Sequence, residues 1–577
     1  MYTSEVLQQA YFRKSGISYI QKKEKDFQKS KREKFDTIAA PRGILSGLNP
    51  YPGSWTKAEA AHLLKRLCFG SNKQDVDAIQ ALGLDAAVAT LLIPIPDDGT
   101  LPINNYNFID DEGVAQTDPF VPFGETWINA PNLPTQPNLN YLRIISFKGW
   151  WLRKMMKNPM SIEEKMIQFW HNHFATEASA IFDSRLTYRH FLMLRTHALG
   201  NFKTLAKAVT IDMQMLEYLN GGQNEVGAPD ENYARELQEL FCIGKGLNSQ
   251  YTENDVQEAA RVLTGWRIDY DNLNSYFDPQ YHDTGDKHFS SFYNDTTIVG
   301  QIDLEGQNEL DALLDMIYAN NECALFICRK LYRFFVYHKI DAATEANVIA
   351  PLAQILRDNN YDMLPVLDVL FKSEHFFDTL NRAAIIKSPL DFLVGYFREL
   401  NIELPDEDDT NNKVNNFWNT LNYVLWIMQQ EPCDPPNVAG WSAYYQDPSF
   451  DKSWISTATY PRRVEISAWL LFGGIDLSDT VKVHFDPVAF TATMPNANDV
   501  WGLIDNVLEH FLVMELPIIV KYQLRYSLLQ GQNSDYYWTE AWDNYIADPS
   551  ELNTMIVTTR LRNFYAQIFL LEEYHLM

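Results

Sequence analysis

Apolar side chains recur at helical spacing along most of the chain, and short runs of turn residues separate the periodic segments. Met166, Phe169 and His173 follow one another three or four positions apart, the spacing that places side chains on one face of a helix. Strand-like alternation is weak and confined to residues 267–300. The pattern predicts a mainly α protein, a multi-helix, bundle-like body with long irregular loops and at most a few short strands.

Capping residues indicate where three of these helices begin. Ser161 and Glu164 have the spacing of a capping box, in which each side chain bonds to a free backbone N–H of the other's turn. Asp230 and Thr252 are candidate N-caps for two further helices. Gly244 closes the second helix. We expect the three helices to pack together as a bundle.

Composition and element order divide the chain into four segments. A basic N-terminal arm precedes a helical segment with a Pro- and Asn-rich insertion, a central helical region that ends in a loop, and a C-terminal helical region. Length alone predicts more than one domain, because single cores rarely grow beyond about 250–300 residues. The predicted boundaries are 1–47, 48–140, 141–300 and 301–577.

The central region carries most of the clustered polar side chains. His171 and His173 lie two positions apart, about 200° around a regular helix, so they cannot hold one metal ion unless the helix ends or distorts there. On the next predicted helix, Arg235, Glu236 and Glu239 fall within about 100° of one another. Such a face suits anion binding and acid–base chemistry, and equally a solvated set of ion pairs. We predict these five residues as candidate catalytic groups.

A second group of residues is predicted to bind substrate. Loops held against a helical body often supply functional groups, and tryptophans can wall a cleft, although they more often anchor a core. For the loop residues, polar side chains that hold surface turns explain the pattern equally well. The predicted substrate-binding residues are Asn232, Trp266, His282, Asp283, Lys287, Asn437 and Trp441. The sequence specifies no cofactor. If the protein binds a metal ion or haem, His171 and His173 are the candidate ligands, together with Glu236 or Glu239.

Eight blocks of residues together resemble a large bacterial family catalogued as domain of unknown function eighteen hundred. Four of them read FWHNHF at 169–174, ENYARELQELF at 231–241, EAARVLTGW at 258–266 and PPNVAGW at 435–441. The others lie at 55–66, 282–287, 328–335 and 387–389. The order and approximate spacing of the blocks extend from about residue 54 to residue 463, and together they are highly specific for the family.

The resemblance brings no established activity. It implies a protein that is often exported and whose gene is often found beside a second family similar to sulfatases and alkaline phosphatases. A partner of that kind is therefore expected. Residues 1–20 lack an apolar stretch ahead of a small-residue cleavage site. This predicts a cytoplasmic protein, with the periplasm or export as the alternative.

Charge and cysteine content narrow the classes of function. The net charge of −27 disfavours a nucleic-acid binder. The first 45 positions are the exception to this acidic balance, with ten Lys or Arg against five Asp or Glu. No run of 18 apolar residues exists, so no membrane-spanning helix is expected. The five cysteines are scattered and odd in number, which predicts small buried side chains without disulfide or haem chemistry.

Three functions remain open at this stage. The first is a partner or assembly protein for an enzyme encoded nearby, in which the polar residues fix helix packing. The second is an enzyme, hydrolase-like, lyase-like or redox, with a His/Arg/Glu site inside the helical body. The third is a carbohydrate-binding protein with aromatic platforms, since aromatic residues make up 13% of the chain.

Overall fold

Helices dominate the protein, as the hydrophobic pattern predicted. The structure, a computed structural model, describes residues 43–109, 115–132, 137–246, 248–405, 413–441, 452–477 and 482–577. Strands occur in that part of the chain only as antiparallel pairs of two to four residues per strand. The mainly α prediction is confirmed. Residues 1–42 of the predicted basic arm lie outside the described residues.

The α-helices of the N-terminal half lead from three short helices into the central region. In chain order they are α1 (Lys57–Leu67), α2 (Lys73–Leu82), α3 (Leu84–Leu91), α4 (Pro137–Lys157), α5 (Glu163–His173), α6 (Ala178–Ile181), α7 (Ser184–His197), α8 (Phe202–Thr210), α9 (Met213–Tyr218), α10 (Glu231–Glu236) and α11 (Glu253–Val262). A π-helical segment, Leu237–Cys242, continues α10.

The C-terminal half is helical as well. Its α-helices are α12 (Glu309–Ala319), α13 (Asn321–Phe335), α14 (Ala342–Thr344), α15 (Ala350–Asp358), α16 (Met363–Lys372), α17 (Pro389–Glu399), α18 (Lys413–Ile427), α19 (Thr459–Phe472), α20 (Pro487–Ala492), α21 (Val500–Phe511), α22 (Ile518–Leu528), α23 (Tyr536–Ala547) and α24 (Glu551–Phe569). A second π-helical segment, Glu345–Ile349, joins α14 to α15. No described helix is long and apolar enough to cross a membrane.

Within the described ranges, four short hairpins interrupt the helices. They pair β1 (Phe108–Ile109) with β2 (Ala115–Gln116), β3 (Trp266–Asp269) with β4 (Asn274–Phe277), β5 (Lys287–His288) with β6 (Thr297–Ile298), and β7 (Ile475–Asp476) with β8 (Lys482–Val483). The region after α11, where the sequence predicted a loop with weak strand-like alternation, thus holds two of them. Both pack polar loop residues back onto the helical body.

Two of the three predicted helix starts are confirmed. Asp230 accepts a hydrogen bond from the backbone N–H of Asn232 and caps α10. Thr252 caps α11 and forms a capping box with Asp255. In each case the side chain satisfies a backbone N–H that has no partner inside the helix.

The capping box predicted at Ser161 and Glu164 is wrong. Helix α5 starts at Glu163, and Ser161 Oγ accepts a hydrogen bond from its backbone N–H over 3.2 Å. Glu164 does not return to the helix start, because its carboxylate binds the Arg195 guanidinium on α7 at 2.8 and 3.1 Å. A partly buried ion pair with a neighbouring helix takes the place of the local bond.

The insertion within 93–140 is ordered in its described part. Asp118 accepts hydrogen bonds from the Tyr106 hydroxyl at 2.9 Å and from Arg143 Nε at 2.7 Å, and all three residues are buried. Trp127 is fully buried in the same segment, and its Nε1 donates to Ser146 Oγ on α4 over 3.2 Å. Polar loop groups that are satisfied inside the protein fix the loop against α4.

Among the described residues the main apolar core extends from Ala60 to Tyr574, and Trp441 and Trp454 form a small separate cluster. Every residue of α5 is buried, and this helix contacts α7 within the core. Backbone bridges also tie distant segments, Pro50 to Ser373 and Ile386 to Leu576. All five cysteines are buried and free, as predicted. The four-segment division of the chain stays a prediction.

Candidate active site beside the central helix

Polar side chains on α5 need partners, because the helix is buried on all sides. Asn172 Oδ1 accepts a hydrogen bond from the backbone N–H of Trp441 over 2.7 Å. His171 and His173 face different neighbours, as their spacing predicted: the His171 ring packs against Trp441, with ring centres 5.6 Å apart, whereas the His173 ring packs against Phe241. The two histidines therefore belong to two different environments.

His173 has both ring nitrogens in hydrogen bonds. Its Nε2 lies 2.9 Å from the carbonyl oxygen of Phe241, and its Nδ1 lies 2.9 Å from the ammonium nitrogen of Lys330. Because a carbonyl only accepts, Nε2 carries the proton and Nδ1 accepts from Lys330. Burial, together with the positive charge of Lys330, holds the pKa of His173 well below its ordinary value. The ring is thus a neutral acceptor for the lysine amine.

The Phe241 carbonyl is presented by the π-helical segment. In Leu237–Cys242 the helix widens, and the N–H groups of Ile243 and Gly244 both bond to the carbonyl of Gln238. Gly244 has φ +89°, and a Cβ there would lie 2.7 Å from the Phe326 ring. π-turns are rare and occur frequently at functional sites. Here the distortion brings two motif segments, 169–174 and 231–241, into direct contact.

Lys330 on α13 completes this group. Its Nζ donates to His173 Nδ1, and lies 3.3 Å from the carbonyl of Leu240 and 5.1 Å from the centre of the Phe326 ring. The side chain is half-buried. The amine is therefore held by fixed acceptors in an apolar setting, at the end of a half-buried side chain.

The surroundings change the acidity of this amine. Burial, assisted by the positive charge of Arg333, lowers the pKa of Lys330 to about 7. A substantial share of the molecules then carries a neutral amine near neutral pH. A neutral, oriented lysine is a nucleophile and a general base, which an ordinary lysine is not.

The two predicted acidic residues lie at the π-helical segment: Glu236 directly precedes it and Glu239 lies within it. Burial raises the pKa of Glu236, and the charges of Lys245 and Arg235 partly offset this. Glu239 forms an ion pair with Lys245. Arg235 turns outward and binds Glu253 at 2.6 Å. Arg235 thus lies in surface ion pairs, whereas His173 lies beside the segment that carries Glu239.

His171 lies in a separate aromatic environment with a second histidine. Its ring centre is 6.2 Å from that of His190, whose Nδ1 is 2.8 Å from Asp212 Oδ2. Neither ring nitrogen of His171 has a hydrogen-bond partner among the described residues. Burial, with the charges of His190 and Lys148, holds the pKa of His171 well below its ordinary value. No described group of three or more His, Cys, Asp or Glu side chains is arranged to hold a metal ion.

Three predicted substrate-binding residues form one network in the loop after α11. His282 Nε2 lies 3.1 Å from Glu309 Oε1, and Lys287 Nζ pairs with the other oxygen of the same carboxylate. Asp283 holds Arg261 at 2.8 Å. Since His282, Lys287 and Glu309 are all buried, these contacts tie the loop to α11 and α12.

The remaining predicted residues are distributed over three places. Asn232 is exposed, and its amide reaches the carbonyl of Leu219 at 3.5 Å. Trp266 is buried against Phe277. Asn437 holds its own turn through the N–H of Ala439, and Trp441 is buried beside α5. Both tryptophans therefore lie inside the protein and present no open ring face to a sugar.

Lys330 is a candidate site residue that the sequence did not single out. In the sequence, Arg329, Lys330 and Arg333 alternate with apolar residues, a pattern that aliphatic stems packed on an apolar helix explain without a ligand. The position of Lys330 three residues after Ile327 and four before Phe334 places it beside two buried side chains. That spacing is a usable indication that the amine enters the core.

The fold and this group define a helical protein with a histidine–lysine pair, His173 and Lys330, at a π-turn next to its central helix. The chain belongs to the family described as Protein of unknown function (DUF1800), whose model matches residues 62–559. The resemblance seen in the motifs is thereby confirmed. No curated protein and no solved structure matches the chain.

Proposed function

We propose that this protein is an enzyme in which the neutral amine of Lys330 attacks the carbonyl carbon of an aldehyde or ketone substrate. One observation carries the proposal: a half-buried amine with a pKa of about 7 donates a 2.9 Å hydrogen bond to a buried, neutral histidine. Perturbed groups of this kind cluster at functional sites.

The chemistry follows from the arrangement of the amine. The lone pair of Nζ forms a bond to the carbonyl carbon while the C=O π bond breaks, and the nitrogen loses a proton as the oxygen gains one. Loss of water from this adduct gives an imine. His173 positions the amine through Nδ1, and the Phe241 carbonyl fixes its tautomer. The proposed site keeps His173 from the His/Arg/Glu site predicted from the sequence and pairs it with Lys330; the roles of the other predicted residues stay a prediction.

Reductive trapping tests the proposal on the purified protein. Glyoxylate, which is anionic, and propanal, which is neutral, are each added at pH 7 with cyanoborohydride, and the alkylated lysines are mapped by mass spectrometry. We expect Lys330 to react faster than the exposed Lys245. His173→Gln should slow trapping at Lys330 and leave Lys245 unchanged. Label spread over surface lysines with none on Lys330 would refute the enzyme proposal.

A second candidate function, docking of a partner protein, is supported by a separate surface. Helix α22 exposes four large apolar side chains by 51–66% on its outer side, and they are Ile518, Ile519, Tyr522 and Tyr526. Three of them follow one another at four-residue spacing and so form a stripe. Exposed apolar stripes with a polar surround are typical of protein interaction sites.

The charge around this stripe indicates the kind of partner. Residues 499–551 contain nine Asp or Glu and two Lys or Arg. Both basic residues are paired, Lys521 with Asp505 and Arg525 with Asp535. The surface therefore favours a partner with a basic rim and disfavours a second copy of this acidic chain.

The resemblance supplies one specific partner to test, a protein similar to sulfatases and alkaline phosphatases. We expect such a protein from the same genome to bind the purified chain and to lose binding in the Tyr522→Glu, Tyr526→Glu double variant. Tyr276→Glu, at an exposed site on β4, is the control.

The cytoplasmic location, with export as the alternative, also stays a prediction. Fractionation of the cells that produce the protein would check it.

A further inference from the structure

A cavity of about 170 Å³ opens between the last turns of α4 and the segment 98–105, which leads to the first hairpin. Neither His173 nor Lys330 lines it, so it is separate from the pair proposed to react with a carbonyl. An engineered protein cavity of about 150 Å³ holds one benzene molecule. The space therefore suits a ligand whose body is about the size of a six-membered ring.

Part of the cavity lining is apolar. Leu101, Pro102 and Ile103 supply aliphatic surface, and Trp150 supplies an indole. Trp150 Nε1 donates to the carbonyl of Thr100 over 3.1 Å, which holds the indole against the segment 98–105. The lining thus offers a preformed apolar surface to an aromatic or branched aliphatic group.

The polar part of the lining carries an excess of positive charge. Arg153, Lys154 and Lys157 all lie on the last two turns of α4 and line the cavity, whereas Asp98 is the one carboxylate among the lining residues. The chain as a whole has a net charge of −27. Three cations beside one carboxylate therefore form a local positive region, which attracts anions.

Lys154 is the cation of this group that is held in a fixed position. The residue is buried, its Nζ lies 2.7 Å from Asp98 Oδ1, and the same nitrogen lies 5.0 Å from the centre of the Trp150 ring. An ammonium group has three donors, and Asp98 is the one ion-pair partner of Lys154 among the described residues. Lys157 is exposed and makes no ion pair with a described residue. Both lysines therefore keep donors for an anion.

Two nearby sources of negative charge are already compensated. Asn158, which also lines the cavity, donates to Glu164 at 3.0 Å, and Arg195 binds that carboxylate at 2.8 and 3.1 Å. The end of α4 carries the partial negative charge of a helix C-terminus. Arg398 donates to the carbonyls of Met155 and Asn158 there, at 2.8 and 3.0 Å. Both compensations favour an anion in the cavity.

We propose that this cavity binds a small organic anion, a ring-sized apolar body that carries one carboxylate or phosphate group. The apolar body packs against Trp150 and Ile103, and the anionic group accepts hydrogen bonds from Lys154 and Lys157. Both features contribute, because a small apolar body buries little surface and a single ion pair open to water adds little affinity.

Fluorine NMR titrations of the full chain test the proposal with four probes. The anions para-fluorobenzoate and para-fluorophenyl phosphate carry both the ring and the charge. The alcohol para-fluorobenzyl alcohol lacks the charge, and trifluoroacetate lacks the ring. We expect at least one aromatic anion to bind about tenfold or more tightly than the alcohol and trifluoroacetate. The comparison of the two aromatic anions shows which anionic group the cavity prefers.

Three substitutions locate the binding. Lys154→Met removes the buried cation, and Lys157→Met removes a cation at an exposed position where the fold is not at risk. Lys73→Met is the matched control, because Lys73 on α2 pairs with Asp77 at 2.8 Å, away from the cavity. The apparent Kd of the preferred anion should weaken about tenfold or more in Lys154→Met. It should also weaken in Lys157→Met and stay unchanged in Lys73→Met.

Two results would overturn the proposal. One is that neither aromatic anion binds the wild type at concentrations up to about 10 mM. The other is that an aromatic anion binds with the same Kd in the wild type and in Lys154→Met, which would place it elsewhere on the protein. If Lys154→Met does not fold, the Kd in Lys157→Met decides the question in the same way.

Discussion

At the scale of single residues, the acidity of Lys330 has a consequence for stability. Its pKa falls from the ordinary 10.5 to about 7 in the folded protein. Between these two values the unfolded chain binds more protons than the folded one, so this group makes stability rise with pH across that window. We expect the urea midpoint to rise less from pH 7 to pH 9 in Lys330→Met than in the wild type.

Lys521→Met is the control for that comparison, because Lys521 pairs with Asp505 near the surface. Its midpoint should rise with pH as much as that of the wild type. An equal rise in Lys330→Met would mean that the amine titrates at its ordinary pKa. The nucleophile assigned to the site would then be protonated at neutral pH.

A second prediction concerns the carboxylate that two loop residues share. Glu309→Gln leaves the ammonium of Lys287 buried without a counter-charge. Removing one partner of a buried ion pair costs about 3–5 kcal/mol, so we expect a loss of that size in the free energy of unfolding. Glu305→Gln is the control, since Glu305 is exposed four residues earlier. Similar values for the two variants would contradict the assigned role.

Single residues also show which parts of the candidate site can be predicted from the sequence. His173 was predicted as a catalytic candidate, and the structure joins it to the π-helical segment. Arg235 was predicted on the same grounds but binds Glu231 and Glu253. Spacing gives the face of a helix, not the neighbour that the face meets. The partner of His173, Lys330, lies 157 positions away, and no local pattern encodes that contact.

At the scale of elements, the junction between α5 and the PPNVAGW segment depends on one glycine. Gly440 has φ +84°, and a Cβ there would overlap the backbone oxygen of Asn172. Ala at such a position is strained by its φ and also displaces α5 or the loop. We expect Gly440→Ala to lower the free energy of unfolding by more than about 1–3 kcal/mol.

Gly227→Ala separates the two contributions. Gly227 has φ +85°, and a Cβ there meets nothing within 4 Å. It should therefore cost only the strain of the backbone, about 1 kcal/mol. Denaturant unfolding of both variants measures the difference. Equal costs would mean that the loop does not press on α5 at this point.

The π-helical segment is an element that the sequence did not predict, and its contacts show why. The sequence 231–241 has regular helical spacing and predicted one uninterrupted α-helix. In the structure Gln238 bonds to the Tyr293 hydroxyl at 2.9 Å, and the Phe241 carbonyl bonds to His173. These contacts come from residues distant in sequence, and they stabilise the wider turn. Caps such as Asp230 and Thr252 were predictable because their partners lie two or three residues away.

At the scale of the whole molecule, the mainly α class and the family followed from the sequence because they depend on periodicity and on several separate motifs. The number of cooperative units stays a prediction. Length predicts several domains, and the main apolar core of the described residues extends from Ala60 to Tyr574. Packing between distant segments decides that question, and composition carries no information on it.

The continuous core gives a prediction at this scale. Chemical unfolding followed by tryptophan fluorescence and by far-ultraviolet circular dichroism should show coincident transitions, because unfolding of one part exposes the core of the rest. Two separated transitions would instead support the division into segments at residues 140 and 300.

The central claim is that Lys330 carries a reactive, neutral amine, and the pH dependence of its own alkylation tests this most directly. The rate of reductive alkylation at Lys330 is measured by peptide mass spectrometry from pH 5 to pH 11, with Lys245 in the same samples as the reference. The account predicts a midpoint at pH of about 7 for Lys330. A midpoint near the ordinary 10.5 would contradict it.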